Sequence, residues 1–363
     1  MDQKLNVGIV FGGKSAEHEV SLQSAKNIIE ALDRSKYNPV LIGIDKTGKW
    51  HLNEGTKFLL HAEDPKLIKL NESSTEIVVA PECRGELANP ISQQKVKLDV
   101  VFPVLHGTFG EDGTIQGLLK LANIPFVGAD VLGSAIGMDK DVMKRLLREA
   151  KLPVAKFIVL RKHESAPSYQ AIAKKVGKIF FVKPANLGSS VGVSKVKNKN
   201  EYLSAVREAF EYDNKILIEE FIPCREIECS VLGNENPIAS LPGEVIPTHE
   251  FYSYESKYID PNGANFHIPA KLNQKTIKRI QELAIAAFKT LSCHGMARVD
   301  FFLKKNGTVY INEINTIPGF TKISMYPKLW EASGISYTEL LNRLIQLALD
   351  KYRQEQKLKT SFN

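Results

Sequence analysis

The sequence has few features of membrane, secreted or nucleic-acid-binding proteins. No apolar run approaches the ~20 residues that cross a bilayer. The opening segment MDQKLNVGIVFGG has a short apolar run that ends in glycines, which indicates a first β-strand and not a signal peptide. No basic run alternates with aromatic residues. No pair of cysteines has metal or redox spacing among Cys83, Cys224, Cys229 and Cys293. These features predict a protein of the reducing cytoplasm, with neither a membrane nor a nucleic acid as partner.

The composition is that of an ordinary globular protein. The chain has 363 residues, of which 43% are hydrophobic and 25% are charged. This length accommodates two or three domains. The formal charge of +7 is modest and spread along the chain, so it is compatible with phosphorylated ligands and does not by itself indicate nucleic acid.

Strand-like and helix-like segments alternate in the first part of the chain. The predicted strands are 5–13, 38–45, 75–81 and 98–107. A helical pattern occupies 21–33, between the first two strands. This alternation predicts an open α/β domain, whose ligands gather beyond the carboxyl ends of the strands. The residues at those ends are Gly12, Gly13, His106 and Gly107.

Apolar spacing predicts three later helices. Residues 138–150 place one stripe at Met138, Val142 and Leu146. Residues 272–291 carry apolar side chains at Ile277, Ile280, Leu283, Ala284, Ala287 and Phe288. Residues 336–352 begin with a capping box, Ser336 and Glu339, followed by Leu340, Leu344 and Leu347. The polar segment 46–74 indicates no function.

The segment RVDFFLKKNGTVYINEINTIPGF, residues 298–320, carries the strongest chemical signal. KKNG is a plausible turn between strands at 296–304 and 308–315. The two-residue period then places polar side chains together on a face: Arg298 with Asp300, and Glu313 with Asn315. The same period puts Val309 and Ile311 on the face of Glu313, where an unpaired charge would be costly to bury. The acid is therefore expected to have a partner.

The polar residues of this hairpin suit a divalent cation. Asp300, Glu313 and Asn315 offer oxygen ligands without His or Cys. Mg²⁺ takes such ligands and usually shares its other positions with phosphates. We interpret the hairpin as a metal–nucleotide site. The alternative is a β-hairpin whose polar residues face solvent.

A second signal is FVKPANLGSSVGVSKV, residues 181–196. Here two strands flank a hairpin tip that contains Gly188, Ser189, Ser190 and Gly192. Glycine allows close approach of the backbone, and successive N–H groups can surround phosphate oxygens. Lys183 and Lys140 add ammonium groups that commonly bind phosphate. An ordinary turn and an exposed Lys140 are the alternatives.

Together these motifs resemble a known family. Five of them are similar to motifs of the ATP-grasp fold: MDK at 138–140, KPANLGSSVG at 183–192, IEEF at 218–221, RVDFF at 298–302 and NEINTIPG at 312–319. Four more resemble the D-alanine:D-alanine ligase family: FGGKSAEHEVS at 11–21, LHGTFGEDG at 105–113, YESKY at 254–258 and TIPGFTKISMYP at 316–327. The resemblance covers nearly the whole chain in the expected order.

The resemblance implies a three-domain α/β ligase in which two α+β domains clasp ATP. The implied domains are an N-terminal α/β substrate domain at 1–130, a central domain with the glycine-rich loop at 131–221, and a C-terminal domain with the metal site and a lid loop at 222–363.

The resemblance also assigns roles around ATP. Glu219 would accept from the adenine amine, backbone groups of Glu220 and Ile222 would bind the ring edge, and Glu226 would bind the ribose. Lys140 and Lys183 would hold phosphates. The γ-phosphate would be covered by Gly188, Ser189, Ser190, Val191 and Gly192. Two Mg²⁺ ions, or Mn²⁺, would be held by Asp300, Glu313 and Asn315.

The implied chemistry is ligation through a D-alanyl phosphate. Arg298 and the Gly319 amide would stabilise the oxyanion. Glu17 would bind the first ammonium, and His106 is a further candidate for substrate binding. The second carboxylate would be bound by Lys257, Ser324 and the Met325 amide. The resemblance also assigns Lys257 to the γ-phosphate of ATP. Tyr258, Ser189 and Glu17 would form a link that holds the 250–266 loop shut.

Several alternatives stay open from the residues alone. Glu17 could be a polar loop residue, His106 a turn residue and Tyr258 a loop anchor. A ligase that accepts D-lactate or D-serine, or a regulator without catalysis, are competing functions. The resemblance further suggests a homodimer for peptidoglycan precursor synthesis, with possible use of a monovalent cation.

Overall fold

The computed structural model describes residues 4–53, 58–61, 64, 67–71, 75–89, 95–247 and 264–361. Within them the strands form three larger sheets and two small two-stranded ones. The three larger sheets fall inside the three predicted domain ranges, whose boundaries remain predictions. Among the helices described, none is both long and apolar enough to cross a bilayer.

The first sheet has the order β3-β2-β1-β8. Its strands are β1 Leu5–Gly12, β2 Tyr37–Ile44, β3 Trp50–Asn53 and β8 Val100–Val104. β1 pairs in parallel with β2 and β8, whereas β3 is antiparallel to β2. Small hairpins are formed by β4 Leu59–Leu60 with β5 Lys69–Leu70, and by β6 Glu86–Ala88 with β7 Lys95–Lys97. The parallel centre confirms the expected open α/β arrangement.

One predicted strand is wrong. Residues 75–81 form only isolated bridges, one from Glu76 to His51 and one from Val78 to Ala88. Neighbouring backbone groups bond in opposite directions, since the Ile77 amide donates to Trp50 and the Val78 amide to Ala88. The segment lies between two partners and extends neither pairing into a ladder.

The helices begin and end as follows: α1 His18–Ala31, α2 Thr114–Leu121, α3 Val131–Met138, α4 Lys140–Glu149, α5 Tyr169–Val176, α6 Lys199–Tyr212, α7 Gln274–Thr290, α8 Met325–Ala332 and α9 Tyr337–Glu355. The amphipathic prediction for α7 is confirmed, because its buried residues are Ile280, Leu283, Ala284, Ala287 and Phe288. In α9 the Ser336 hydroxyl accepts from the Glu339 amide, while Leu340 and Leu344 are buried. The Ser336 half of the expected capping box is therefore present, whereas the Glu339 carboxylate accepts from Arg343. Leu347, the third residue of the predicted stripe, is only half-buried.

The predicted helix at 138–150 requires correction. Asp139 interrupts it, because this residue is extended and its carboxylate accepts from the Asp141 and Val142 amides. α4 consequently starts at Lys140. The buried apolar residues of α4 are Met143 and Leu147. Of the predicted stripe, Met138 is buried at the end of α3, but Val142 and Leu146 are only half-buried, so the stripe predicted for α4 is displaced by one residue.

The second sheet is antiparallel and has the order β11-β10-β12-β9. Its strands are β9 Phe157–Arg161, β10 Phe180–Pro184, β11 Ser194–Val196 and β12 Lys215–Glu220. The core against α5 and α6 includes Leu160, Ile172, Phe180, Val182, Tyr202, Ile216 and Ile218. The glycine-rich segment joins β10 to β11 as a hairpin, as predicted.

The third sheet has the order β16-β15-β13-β17-β18, with β14 paired to β13. Its strands are β13 Arg225–Gly233, β14 Ile238–Ala239, β15 Gly243–Pro247, β16 Ala264–His267, β17 Gly295–Leu303 and β18 Val309–Asn315. β17 and β18 form the predicted hairpin, with antiparallel pairing.

This hairpin contains a β-bulge that reverses one expectation. Asp300 pairs with Glu313, but Phe301 pairs with Ile311, so Asn312 is the extra residue. The bulge changes the side-chain parity. Val309 and Ile311 lie in the core, whereas Glu313 lies opposite Asp300 on the other face. The prediction that Val309 and Ile311 share the face of Glu313 is therefore wrong.

Candidate active site

The polar residues of the β17–β18 hairpin lie together on one face. Arg298 is paired with Asn315, and Asp300 with Glu313. Cross-strand partners share a face in an antiparallel pair. The Asn315 amide donates to Asp300 Oδ2 over 3.0 Å. Two carboxylates and an amide are thus adjacent, as the sequence predicted.

The donor set fits Mg²⁺. Within the described ranges, no cluster of three or more His, Cys, Asp and Glu residues could hold a metal. Asp300, Glu313 and Asn315 offer two acids and one amide oxygen, which suits a cation that keeps several water or phosphate ligands. The bulge at Asn312 directs the Glu313 carboxylate to the Asp300 face, and this supports the metal interpretation.

Arg298 is held by two carboxylates. Its Nε and Nη2 donate to the two oxygens of Asp300, both over 2.7 Å. Nε also lies 2.9 Å from Glu228 Oε2 on β13. Bidentate pairing fixes the plane of a guanidinium as well as its position. Arg298 is therefore presented to the site in a defined orientation.

The glycine-rich hairpin has an unusual backbone. Ser189, Ser190 and Gly192 have φ values of +52°, +60° and +66°. Residues other than glycine adopt this left-handed region infrequently. A Cβ atom at Gly192 would lie 2.8 Å from the Tyr212 ring. At Gly188 the nearest atom among the described residues would be Glu17 Oε2, at 3.4 Å. The Val191 amide donates to the Gly188 carbonyl over 3.2 Å. The tip is a tight turn of the kind that exposes backbone amides.

Lysines surround the base of this hairpin. The Lys140 ammonium donates to the Leu187 carbonyl over 2.6 Å and lies 3.7 Å from Glu313 Oε2. Lys183 on β10 pairs with Glu219 on β12. Lys140 thus bridges the glycine-rich hairpin and the β17–β18 hairpin. Its phosphate-binding role stays a prediction.

Glu219 lies between two lysines. Lys144 pairs with its Oε1 and Lys183 with its Oε2, and the side chain is only 2% exposed. Burial alone would raise the pKa of Glu219, but the charges of Lys144 and Lys183 outweigh burial and lower it. Glu219 is therefore a carboxylate. Its predicted role toward the adenine amine stays a prediction.

The other predicted adenine and ribose residues lie where the second sheet leads into the third. The Glu220 carboxylate accepts from the Lys156 amide over 2.7 Å. Ile222 is buried, and Glu226 is on β13, paired with Val245 and Phe302. Their positions are compatible with a nucleotide between the two sheets.

Glu17, immediately before α1, is linked to the glycine-rich hairpin. It is 7% exposed and accepts a hydrogen bond from the Ser189 hydroxyl. Two of the three residues of the predicted link, Ser189 and Glu17, are therefore in contact. The third member, Tyr258, and the proposed carboxylate ligand Lys257 lie outside the described residues.

His106 connects the end of β8 to the loop after β18. Its Nδ1 lies 3.1 Å from the Ile317 carbonyl, and its Nε2 lies 3.2 Å from Ser24 Oγ. Burial lowers the pKa of His106. A neutral imidazole with both nitrogens engaged in protein contacts positions the loop. No described contact assigns it directly to a substrate.

The loop 316–324 carries the last predicted residues. Thr321 donates to Ser324 Oγ from its amide over 2.9 Å. A Cβ atom at Gly319 would lie 2.7 Å from the same hydroxyl, so a larger residue here would have to displace Ser324. Met325 is the first residue of α8. Its amide is at a helix N-terminus, where a carboxylate is favoured.

Sequence reasoning missed three charged residues: Glu111, Lys144 and Glu228. Lys144 follows Lys140 by one helical turn and Glu228 follows Glu226 by two strand positions, so spacing alone could have identified both. Glu111 is in the loop before α2. Its carboxylate accepts from the Gly107 amide over 2.9 Å and the Ile317 amide over 3.3 Å.

Glu111 predicts a pH-dependent stability. Burial, with a smaller contribution from the charge of Glu17, raises the pKa of Glu111 to about 8. The folded state therefore holds a proton that the unfolded state releases near its ordinary value of 4.5. This stabilisation is full below that value and is lost as the pH rises through about 8. The full loss corresponds to about 5 kcal/mol, at about 1.4 kcal/mol for each pH unit between the two values.

Thermal unfolding between pH 5 and 9 tests this expectation. The melting temperature of the unmutated protein should decrease more steeply with pH than that of Glu111→Gln, which cannot ionise. His106 titrates with the opposite sign and is present in both proteins, so the difference between the slopes isolates Glu111. Parallel slopes would contradict the assignment.

A glycine-rich hairpin on the second sheet and a carboxylate-bearing hairpin on the third define the ATP-grasp class of ligases. The family model described as "D-ala D-ala ligase N-terminus" matches residues 6–129. The model described as "D-ala D-ala ligase C-terminus" matches residues 146–346. The chain belongs to the D-alanine–D-alanine ligase family. The predicted fold class is thereby confirmed.

Similar proteins cover the chain from end to end. It is 55% identical over 361 residues to a D-alanine–D-alanine ligase of Oceanobacillus iheyensis, covering 99% of each chain. It is 53% identical to D-alanine–D-alanine ligase A of Escherichia coli K12, covering 99% of this chain and 100% of the relative.

Two solved structures are similarly close. The D-alanine-D-alanine ligase of Coxiella burnetii has a TM-score of 0.85 and 42% identity, covering 98% of this chain and 96% of that one. The VanG D-Ala:D-Ser ligase of Enterococcus faecalis has a TM-score of 0.84 and 36% identity, covering 95% and 100%.

Proposed function

We propose that this protein joins two D-alanines to D-alanyl-D-alanine with ATP, releasing ADP and phosphate, as a step in peptidoglycan precursor synthesis. The observation that carries the proposal is the position of Lys140. Its ammonium contacts Leu187 in the glycine-rich hairpin and Glu313 in the β17–β18 hairpin, where the metal is proposed to bind. One ammonium therefore joins the two parts of the proposed nucleoside triphosphate site.

The first step forms the mixed anhydride. A carboxylate oxygen of the first D-alanine attacks the γ-phosphorus, and the bond to ADP breaks. Lys140 and Lys183 hold phosphate oxygens, and amides of residues 188–192 close over the transferred group. When bound, two Mg²⁺ ions at Asp300, Glu313 and Asn315 would neutralise phosphate charge. We further propose that Mn²⁺ can replace Mg²⁺ and that the protein uses a monovalent cation.

The second step forms the peptide bond. The free amine of the second D-alanine attacks the acyl carbon, and phosphate leaves after a tetrahedral species. Arg298 and the Gly319 amide stabilise the oxyanion. Glu17 binds the first ammonium. The second carboxylate is bound by Ser324 and the Met325 amide, with Lys257 as a further ligand.

Closure over the intermediate is part of the proposal. Water would hydrolyse the acyl phosphate, so the site needs a cover during the second step. The hydrogen bond from Ser189 to Glu17 already joins two domains. Tyr258 is proposed to complete this link. A cytoplasmic location and a homodimer remain predictions from the resemblance.

Ligation to D-serine or D-lactate is the second candidate function. The similarity to the VanG D-Ala:D-Ser ligase favours D-serine as this alternative second substrate. Both functions use the same first step, and they differ in the nucleophile of the second.

Product analysis distinguishes these functions. The protein is incubated with ATP, Mg²⁺, D-alanine, D-serine and D-lactate, and the products are separated by chromatography while ADP release is followed. D-alanyl-D-alanine should dominate at neutral pH. A main product that contains D-serine or D-lactate would support the second candidate, and no ADP release would contradict both.

A further inference from the structure

Lys144 is a fully buried lysine beside the proposed phosphate site. It lies one turn after Lys140 on α4, so both side chains leave the same face of the helix. The Lys144 side chain is 0% exposed. An ammonium group is rarely buried to this extent unless charged or polar partners satisfy it.

The partners of Lys144 come from two different sheets. Its ammonium pairs with Glu219 Oε1 on β12 of the second sheet. It also donates to the Asn312 carbonyl on β18 of the third sheet, over 3.0 Å. Lys144 therefore joins the two sheets that carry the proposed nucleotide site.

Each partner is directly connected to a group that the proposed reaction uses. Glu219 pairs with Lys183 through its other oxygen. Asn312 is the bulged residue, and the bulge directs the next residue, Glu313, toward Asp300. Lys144 is thus connected to Lys183 through the carboxylate of Glu219, and to Glu313 through the backbone of Asn312.

The side chains joined by these ion pairs carry a surplus of positive charge. They are Lys140, Lys144 and Lys183 with Glu219 and Glu313, and three positive charges against two negative charges leave one positive charge. Without the Lys144 charge the surplus would disappear. Glu219 would then be paired with Lys183 alone, and Lys183 would be less able to attract phosphate.

Packing alone does not explain this lysine. Apolar residues often replace buried ion pairs without loss of stability. Met143 and Leu147 already supply the apolar contacts of α4. If Lys144 only attached α4 to β18, its bond to the Asn312 carbonyl would be sufficient. The additional pairing with Glu219, which Lys183 shares, would not be needed.

We propose that Lys144 is a positioning residue for phosphoryl transfer, which holds Glu219 with Lys183 and fixes the Asn312 bulge that directs Glu313. This inference rests on the proposed function. It assigns no substrate contact to Lys144, which acts through Lys183 and Glu313.

The test is Lys144→Met, which keeps length and apolar volume but removes the charge. The KM for ATP and the Mg²⁺ concentration for half-maximal activity should each rise about tenfold or more, because a charge-assisted contact is lost on both sides. The KM for each D-alanine should stay within about twofold of the unmutated value, because D-alanine groups do not contact Glu219 or Asn312 in the proposed arrangement. Lys278→Met, at an exposed position of α7, is the matched control and should change none of these constants.

A second variant covers the case in which Lys144→Met does not fold. Lys144→Gln keeps a hydrogen-bond donor of similar size without the charge, and it should shift the ATP and Mg²⁺ constants in the same direction. Constants for ATP and Mg²⁺ within twofold of the unmutated protein in either folded variant would overturn the proposal. A fall in kcat alone would overturn it as well.

The unmutated protein separates failure of this inference from failure of the proposed function. If it produces no dipeptide from D-alanine, the proposed function fails. Binding of Mg²⁺ with a non-hydrolysable ATP analogue, measured by calorimetry, then still tests the positioning role. About tenfold weaker binding to Lys144→Gln would support it, and equal binding would refute it.

Discussion

Glu313→Gln is expected to lower turnover by about a hundredfold or more at saturating Mg²⁺ while the protein stays folded. Glu313 lies opposite Asp300 on the hairpin and 3.7 Å from the Lys140 ammonium. Glutamine has the same shape, so the bulge and the strand pairing should survive. What changes is the charge of a ligand in the proposed metal site.

The reason for a large effect is electrostatic. An anionic oxygen attracts Mg²⁺ far more strongly than an amide oxygen does, and the metal is expected to neutralise charge as the phosphoryl group moves. Loss of Glu313 also leaves Lys140 without this carboxylate. The Mg²⁺ concentration for half-maximal activity should therefore rise together with the loss in kcat.

The measurement is coupled ADP release across a Mg²⁺ titration, with circular dichroism to verify the fold. Glu282→Gln makes the same chemical change on an exposed position of α7 and should behave like the unmutated protein. Near-normal turnover of Glu313→Gln with an unchanged Mg²⁺ dependence would show that the hairpin does not hold the metal.

The hairpin also shows which part of the fold could be predicted. Alternating residues and a KKNG turn were sufficient to locate β17 and β18 within a residue or two at each end. The bulge at Asn312 could not be predicted, because it is stabilised by the Lys144 ammonium 168 residues away in sequence. Strand periodicity does not report such long-range contacts. Asp300, Glu313 and Asn315 are adjacent as predicted, and their role as metal ligands stays a prediction. The face assigned to Val309 and Ile311 was wrong.

The helix at α4 has a similar explanation. Apolar spacing in 138–150 is compatible with two stripes that differ by one residue. Asp139 caps the helix and decides its start, and the buried stripe then contains Met143 and Leu147. Propensity and periodicity are weak guides when one capping residue determines the boundary.

The motif resemblance identified most residues of the candidate site. The local sequence identified few of the residues that hold them in place. Lys140, Lys183 and Arg298 were assigned because motifs contain them. Lys144, Glu111 and Glu228 lie outside those assignments, and their contacts are made across sheets and loops. A carboxylate that accepts amides from Gly107 and Ile317, as Glu111 does, becomes visible only when the two loops are adjacent.

Arg298→Lys is expected to lower kcat by about 10²–10³ with little change in the KM for ATP. The substitution keeps the positive charge. It removes the planar guanidinium that donates twice to Asp300 over 2.7 Å and lies 2.9 Å from Glu228. An ammonium group is a point charge and cannot take this bidentate position.

The kinetic pattern follows from the proposed role. Charge on the acyl oxygen develops in the tetrahedral species, so a misplaced cation weakens the transition state more than it weakens bound ATP. Asp300 is also a proposed metal ligand, and a lysine in place of Arg298 would hold its carboxylate less firmly. The Mg²⁺ dependence should shift only slightly, because the ligand itself is unchanged.

Steady-state kinetics with ATP and D-alanine varied separately give the comparison. Arg343→Lys, on α9 in an exposed pair with Glu339, is the matched control and should retain full activity. If Arg298→Lys retained kcat within about threefold and instead raised the KM for ATP, Arg298 would be a nucleotide-binding residue. If only the Mg²⁺ constant moved, its main role would be to orient Asp300. The expected result, a loss confined to kcat, corresponds to a group whose interaction strengthens as the oxyanion forms.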